Sequence, residues 1–160
     1  MVPYQTGGEM IDYVSIQEST FADLPNKFEA GTPNIVGAIA LGEAVDFVSE
    51  IGMENIKEHS KYLTSYLNEK LKSIEFINII GNPTKRLGII SFLMNGAHPH
   101  DVALLLDGRG ISLRAGHHCA QPAMRHFKVD TTLRASFGVY NEEEDVDLLI
   151  SNLKEIRKYF

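Results

Sequence analysis

The sequence predicts an α+β domain in which a small, antiparallel-type sheet packs with helices. Three observations predict it. Two amphipathic stretches of helical length follow one another between Thr32 and Ser73. Short runs of strand-forming residues then cluster between Phe76 and Phe137. A last segment, acidic at its start and basic at its end, has the charge order of a closing helix.

The opening residues stand apart from this pattern. Pro3, Gly7-Gly8, Pro25 and Gly31 punctuate them, and only Ile11–Ile16 reads as a strand. Such a stretch has too little periodic apolar surface for a core of its own. Thr32 and Pro33 suit an N-cap and first helical position. The first helix is expected to run to about Glu50, with Ile35, Ile39, Leu41, Ala44, Val45 and Val48 giving a broad apolar surface. Its Gly and Ala residues would let another element approach closely. The second helix, about Met53 to Ser73, places Ile56, Leu63, Leu67, Leu71 and Ile74 on one side with Lys and Glu opposite.

Phe76–Ile80 and Gly88–Leu93 read as strands joined through Gly81-Asn82-Pro83. Pro99–Leu106 reads as a short helix ended by Gly108 or Gly110, and Ile111–Arg114 and Thr131–Phe137 as further strands. The closing helix starts at Asn141, with Glu142, Glu143 and Glu144 in its first turn and Arg157 and Lys158 at its end.

Composition narrows the function classes. The formal net charge is -6 over 160 residues, with Lys and Arg scattered, so neither a nucleic-acid footprint nor a polybasic membrane patch is present. The longest apolar stretch, Ile35–Val48, is broken by Gly37, Gly42, Glu43 and Asp46 and is unsuited to spanning a bilayer. The N-terminus lacks the features of a signal peptide. With one cysteine there is no internal disulfide, and a reducing, cytoplasmic setting is the expectation; an organellar version would look alike after import.

Chemistry concentrates in Arg114-Ala115-Gly116-His117-His118-Cys119-Ala120-Gln121-Pro122. Strand alternation places Ile111 and Leu113 on one face with Ser112 and Arg114 opposite. It likewise separates Leu133, Ala135 and Phe137 from Arg134 and Ser136. Arg114 and Arg134 are therefore expected to point away from the helices, beside the loop that carries Cys119. Two guanidiniums there suit a carboxylate, which Arg grips with paired hydrogen bonds. Arginines, a histidine and a helix opening at Pro122 would also favour a thiolate. Solvated arginines and an ordinary turn remain the alternative, since a lone cysteine usually packs as a small hydrophobe. Metal binding is not expected: His117, His118 and Cys119 are contiguous, no second cysteine exists, and nothing orders His98, His100 and His126 into a site.

RAGHHCAQP resembles the persulfide-forming loop of the group II, SUF-type cysteine desulfurases, pyridoxal phosphate (PLP) enzymes related to class V aminotransferases. FEAGTPN (Phe28–Asn34), RLGIISF (Arg86–Phe92) and LRASFGVYN (Leu133–Asn141) are similar to that family's motifs in the same order. The resemblance spans essentially the whole chain. It implies the small C-terminal domain of a PLP-dependent transferase of fold type I. Residues 1–33 would be the tail of the large cofactor-binding domain, not independently folded, and residues 34–160 the small domain with its long linking helix.

The resemblance also implies roles. Cys119 matches the nucleophile that takes sulfur from L-cysteine, leaving a persulfide and alanine. Arg134 matches the arginine that holds the substrate carboxylate, and Arg114 would support that pocket. His117 and His118 match the supporting loop histidines. Gly31 and Thr32 resemble the point where one subunit reaches the partner's PLP phosphate, where a helix start would present free N–H groups to an anion. Thr6 stands where relatives commonly carry glycine. None of the nine lysines occupies the histidine–lysine context of the cofactor lysine, so covalent PLP binding and turnover by this chain alone are not expected. The implied partners are a second copy in a homodimer and a sulfur-acceptor protein of the SUF system, serving iron–sulfur cluster assembly. A selenocysteine lyase shares these motifs. A non-catalytic sulfur-carrier or interaction module using Cys119 is the reading from another class.

Overall fold

A computed structural model describes residues 1–160, which divide into two units, Met1–Ile51 and Gly52–Phe160. The division falls at Gly52. Gly52 has a φ of +86°, a conformation glycine adopts freely, so the chain breaks between its two long helices there.

In the first unit, Ile11–Val14 (β1) and Ser19–Phe21 (β2) form an antiparallel hairpin with a register irregularity between Ile11 and Tyr13. Ser15 closes its turn: the Oγ accepts from the N–H groups of Gln17 and Glu18. Helix α1 spans Ile35–Ile51 and has no buried residue. Its cap is Asn34, not Thr32: the Asn34 Oδ1 accepts from the N–H of Gly37 at 2.9 Å. An N-cap side chain must reach the second or third helical amide, and with Ile35 as the first helical residue only position 34 does so. Met10 is the one fully buried large apolar residue of this unit.

The second unit is an antiparallel sheet in the order β3-β4-β6-β5, formed by Ile77–Ile80 (β3), Ile89–Met94 (β4), Arg114–Gly116 (β5) and Thr132–Ser136 (β6). One face carries α2 (Met53–Lys72), α3 (Pro99–Asp107) and α5 (Glu143–Ile156). Period-2 alternation sends Ile90, Phe92, Met94, Leu133 and Ala135 into the core. Leu63, Leu67 and Leu71 of α2 and Val146, Leu149, Ile150 and Leu153 of α5 meet them at helical spacing. Glu142 and Asp145 form a reciprocal capping box at the start of α5.

Strand β5 is shorter and later than predicted. The N–H of Ile111 donates to the Leu106 carbonyl at 3.0 Å, so Ile111–Leu113 is the exit of α3, and only Arg114–Gly116 pairs with β6. Between β5 and β6 lies α4 (Gln121–Phe127), one residue ahead of the expected Pro122 start.

Candidate active site on the open sheet face

The face of the sheet opposite the helices is polar where β5 and β6 pair. Arg114 and Arg134 are register partners across the two strands. Like charges directly opposite destabilise a sheet, so this pairing makes sense when an anion lies between or above them. On its other side Arg134 pairs with Ser91 of β4. Arg114 is exposed and Arg134 half-buried, and the Arg134 Nε is buried with no hydrogen-bond partner. A buried donor left unpaired costs about 1–3 kcal/mol.

Cys119 sits on the turn between Gly116 and α4, and its side chain is exposed. The turn is conformationally costly. His118 (φ 55°) and Cys119 (φ 54°) are both left-handed, at roughly 1–2 kcal/mol each for residues bearing a Cβ. Local hydrogen bonds hold it. The Cys119 N–H donates to the His117 Nδ1 at 3.1 Å, and the Ala120 N–H donates to the His117 carbonyl at 2.9 Å. As an acceptor, the His117 Nδ1 carries no proton, which fixes that ring in its Nε2–H form when neutral.

His118 turns the other way. Its Nε2 lies 2.9 Å from the Oγ1 of Thr132, and its Nδ1 is buried without a partner. Burial lowers the His118 pKa below its ordinary value, and Arg134, then Arg114 and the neighbouring His117, lower it further against the opposing effect of a hydrogen bond with the Thr132 backbone. A neutral imidazole therefore stands among cations, next to the thiol-bearing residue.

Sequence alternation foresaw that Arg114 and Arg134 share the open face, and the structure brings them together with His118. Thr132 was missed. In sequence it only shares strand parity with Arg134 and Ser136; that it is wholly buried is visible in the structure alone. A cleft of about 450 Å³ opens on the same sheet, lined by Ile80, Asn82, Arg86, Ile89, Ser91 and Phe127. It reaches Arg134's neighbour Ser91 but not Cys119. No three His, Cys, Asp or Glu side chains converge as a metal site.

Gly31 and Thr32 belong to the first unit. Gly31 has a φ of +81° and nothing within 4 Å of where a Cβ would stand. Its N–H donates to the Gly8 carbonyl at 2.9 Å, so that amide is spoken for. Thr32 is exposed, ahead of the capped helix start.

Residues 1–149 match the family described as Aminotransferase class-V. A probable cysteine desulfurase of Halalkalibacterium halodurans is 48% identical over 160 residues, which is all of this chain and 39% of that protein. Among solved structures, a cysteine desulfurase from Thermococcus onnurineus NA1 superposes with a TM-score of 0.85 at 38% identity, covering 99% of this chain and 40% of the other. The cysteine desulfurase CsdA from Escherichia coli gives a TM-score of 0.86 at 32% identity, covering 100% and 40%. The chain thus spans about two fifths of the length of the relatives it matches. The sheet order, the paired arginines and the cysteine turn sit within that shared part, and the chain belongs to the class-V aminotransferase family.

Proposed function

We propose that this chain is the C-terminal portion of a cysteine desulfurase, in which Cys119 receives sulfur from L-cysteine. The supporting observation is the unpaired, buried Nε of Arg134, whose register partner Arg114 opens the strand that leads into the exposed Cys119 turn. Arg134 would hold the substrate carboxylate and Arg114 would add positive charge to the pocket. The Cys119 thiolate attacks the substrate sulfur. The carbon–sulfur bond breaks, its electron pair stays on carbon, and a proton taken up there completes alanine. The product on the protein is a Cys119 persulfide, so atoms balance without any oxidant. His117 and His118 shape the turn, and neutral His118 adds no further positive charge to it.

The class works with PLP, which when bound supplies an electron sink for the substrate carbon. Of the residues present, Gly31 and Thr32 fit the cofactor's phosphate: an open, positive-φ glycine precedes an exposed threonine. In our reading they serve the partner subunit of a homodimer. The cofactor lysine is not among this chain's lysines, so the chain alone is inactive. Residues 1–33 extend the large cofactor domain. Sulfur then passes to an acceptor protein of the SUF system for iron–sulfur cluster assembly, in a cytoplasmic setting.

Alanine release from L-cysteine, with PLP and reductant and a Cys119→Ala control, tests this. The 160-residue chain should release none above control, and the same chain joined to the preceding part of its parent should turn over. Turnover by the 160 residues alone would mean that they contain the cofactor anchor. The exposure of Cys119 also favours a second reading, sulfur carriage in trans. That reading requires a persulfide mass on Cys119 when a complete desulfurase supplies sulfur, and an unchanged mass rules it out.

A further inference from the structure

We propose that Thr132 is a positioning residue for the cysteine turn: its hydroxyl donates to the His118 Nε2, selects the Nδ1–H form of that ring and pins the left-handed His118–Cys119 backbone. The inference rests on reading Cys119 as the sulfur acceptor for its consequence, but not for its geometry.

Thr132 is fully buried, so its hydroxyl has no water to fall back on. His118 is its partner, at 2.9 Å. Two proton arrangements fit that contact, and they differ in what they leave unpaired. If the His118 Nε2 carried the proton, the buried Thr132 hydroxyl hydrogen would lack an acceptor and the Nδ1 lone pair would be orphaned as well. If Thr132 donates, the one unpaired group is the His118 Nδ1–H. Burial favours the arrangement with fewer unpaired groups. The depressed basicity of His118 keeps the ring neutral, as both arrangements require.

The consequence lies in the turn. His118 and Cys119 are consecutive non-glycine residues in the left-handed region, which persists only where surrounding contacts over-determine it. The His117 ring and carbonyl hold Cys119 and Ala120 from one side. Thr132 holds His118 from β6, the strand that carries Arg134 two residues later. The turn bearing the thiol is thus tied to the strand bearing the carboxylate-binding arginine. It also leaves a second unpaired N–H, the His118 Nδ1–H, in the field of the unpaired Arg134 Nε–H.

Long-range 1H–15N spectra of the imidazoles in the 160-residue chain read the tautomer directly, and carbon shifts of His118 and Cys119 read the left-handed backbone. The native chain should show a protonated Nδ1 and a bare Nε2 at His118. Thr132→Ser, which keeps the hydroxyl, should preserve both signatures. Thr132→Val, which keeps the shape, should shift His118 toward the Nε2–H form and lose the left-handed shifts. A purely structural Thr132 would change stability without moving the tautomer. An Nε2–H ring in the native chain, or an unchanged ring in Thr132→Val, overturns the proposal. Should the Val variant fail to fold, the native tautomer still decides. None of these readouts needs cofactor or turnover, so their failure is distinct from failure of the desulfurase reading in the alanine assay.

Discussion

The two units of this chain obey opposite rules of burial. In Gly52–Phe160, sixteen apolar residues from four helices and strands or more close a single core, and the polar chemistry sits on the uncovered face of the same sheet. In Met1–Ile51, Met10 alone is fully buried, and Ile35, Val36, Ile39, Leu41, Val45, Phe47 and Val48 of α1 are all exposed. At helical spacing those seven residues surround the axis. Glu43, Asp46 and Glu50 share the helix with them, yet apolar exposure of this extent marks a surface that further protein normally covers. One unit therefore carries its own driving force for folding, and the other carries apolar surface that only further protein can cover.

The most severe way to break this comparison is to separate the units. Residues 52–160 alone should keep a cooperative urea transition by circular dichroism, while residues 1–51 alone should show none. A cooperative transition in the short piece would mean that Met10 and the hairpin suffice as a core. Next in size, Phe92→Ala should destabilise the second unit by about 3–5 kcal/mol. Ile39→Ala, at an exposed site, should stay within about 0.5 kcal/mol. Equal losses in chemical denaturation would show α1 to be packed.

The caps sharpen the comparison at smaller scale. Asn34→Ala should cost α1 about 1 kcal/mol, seen as lost helicity, and Thr32→Ala should leave helicity unchanged. The reverse result would return the cap to Thr32. The arginine pair predicts a change of sign between contexts. Arg134→Gln relieves a like-charge pair, so the 160-residue chain should be unaffected or stabilised by up to about 0.5 kcal/mol. Under the proposed function, the same change in the longer enzyme would remove the carboxylate grip and should cut alanine release by roughly a hundredfold.

The smallest effect concerns pH. The His118 pKa in the folded chain lies below its ordinary 6.5, chiefly through burial and then through Arg134. The unfolded chain therefore binds the proton first as pH falls. Stability should decline as pH drops below about 6.5 and level off once folded His118 has titrated. His118→Gln should lose that part of the slope in urea titrations at pH 5 to 7.5. An unchanged slope would place the titrating group elsewhere.

What the sequence determined by itself was whatever depends on short-range spacing. Helical periodicity located α2, the charge order of its ends located α5, strand alternation put Arg114 and Arg134 on one face, and motif order named the family across the whole chain. The misplacements share a cause. Thr32 and Asn34 are both good caps by type, and the choice between them followed from which amide each could reach once α1 began at Ile35. Strand β5 started late because Ile111 was claimed by the Leu106 carbonyl, a competition invisible to a β-propensity reading. Thr132 looked like any strand threonine. Its meaning came from His118, fourteen residues away in sequence and 2.9 Å away in space. Local patterns specify what each segment prefers, whereas hydrogen-bond partners and burial are set jointly by segments that meet only on folding, and the site is made of such meetings.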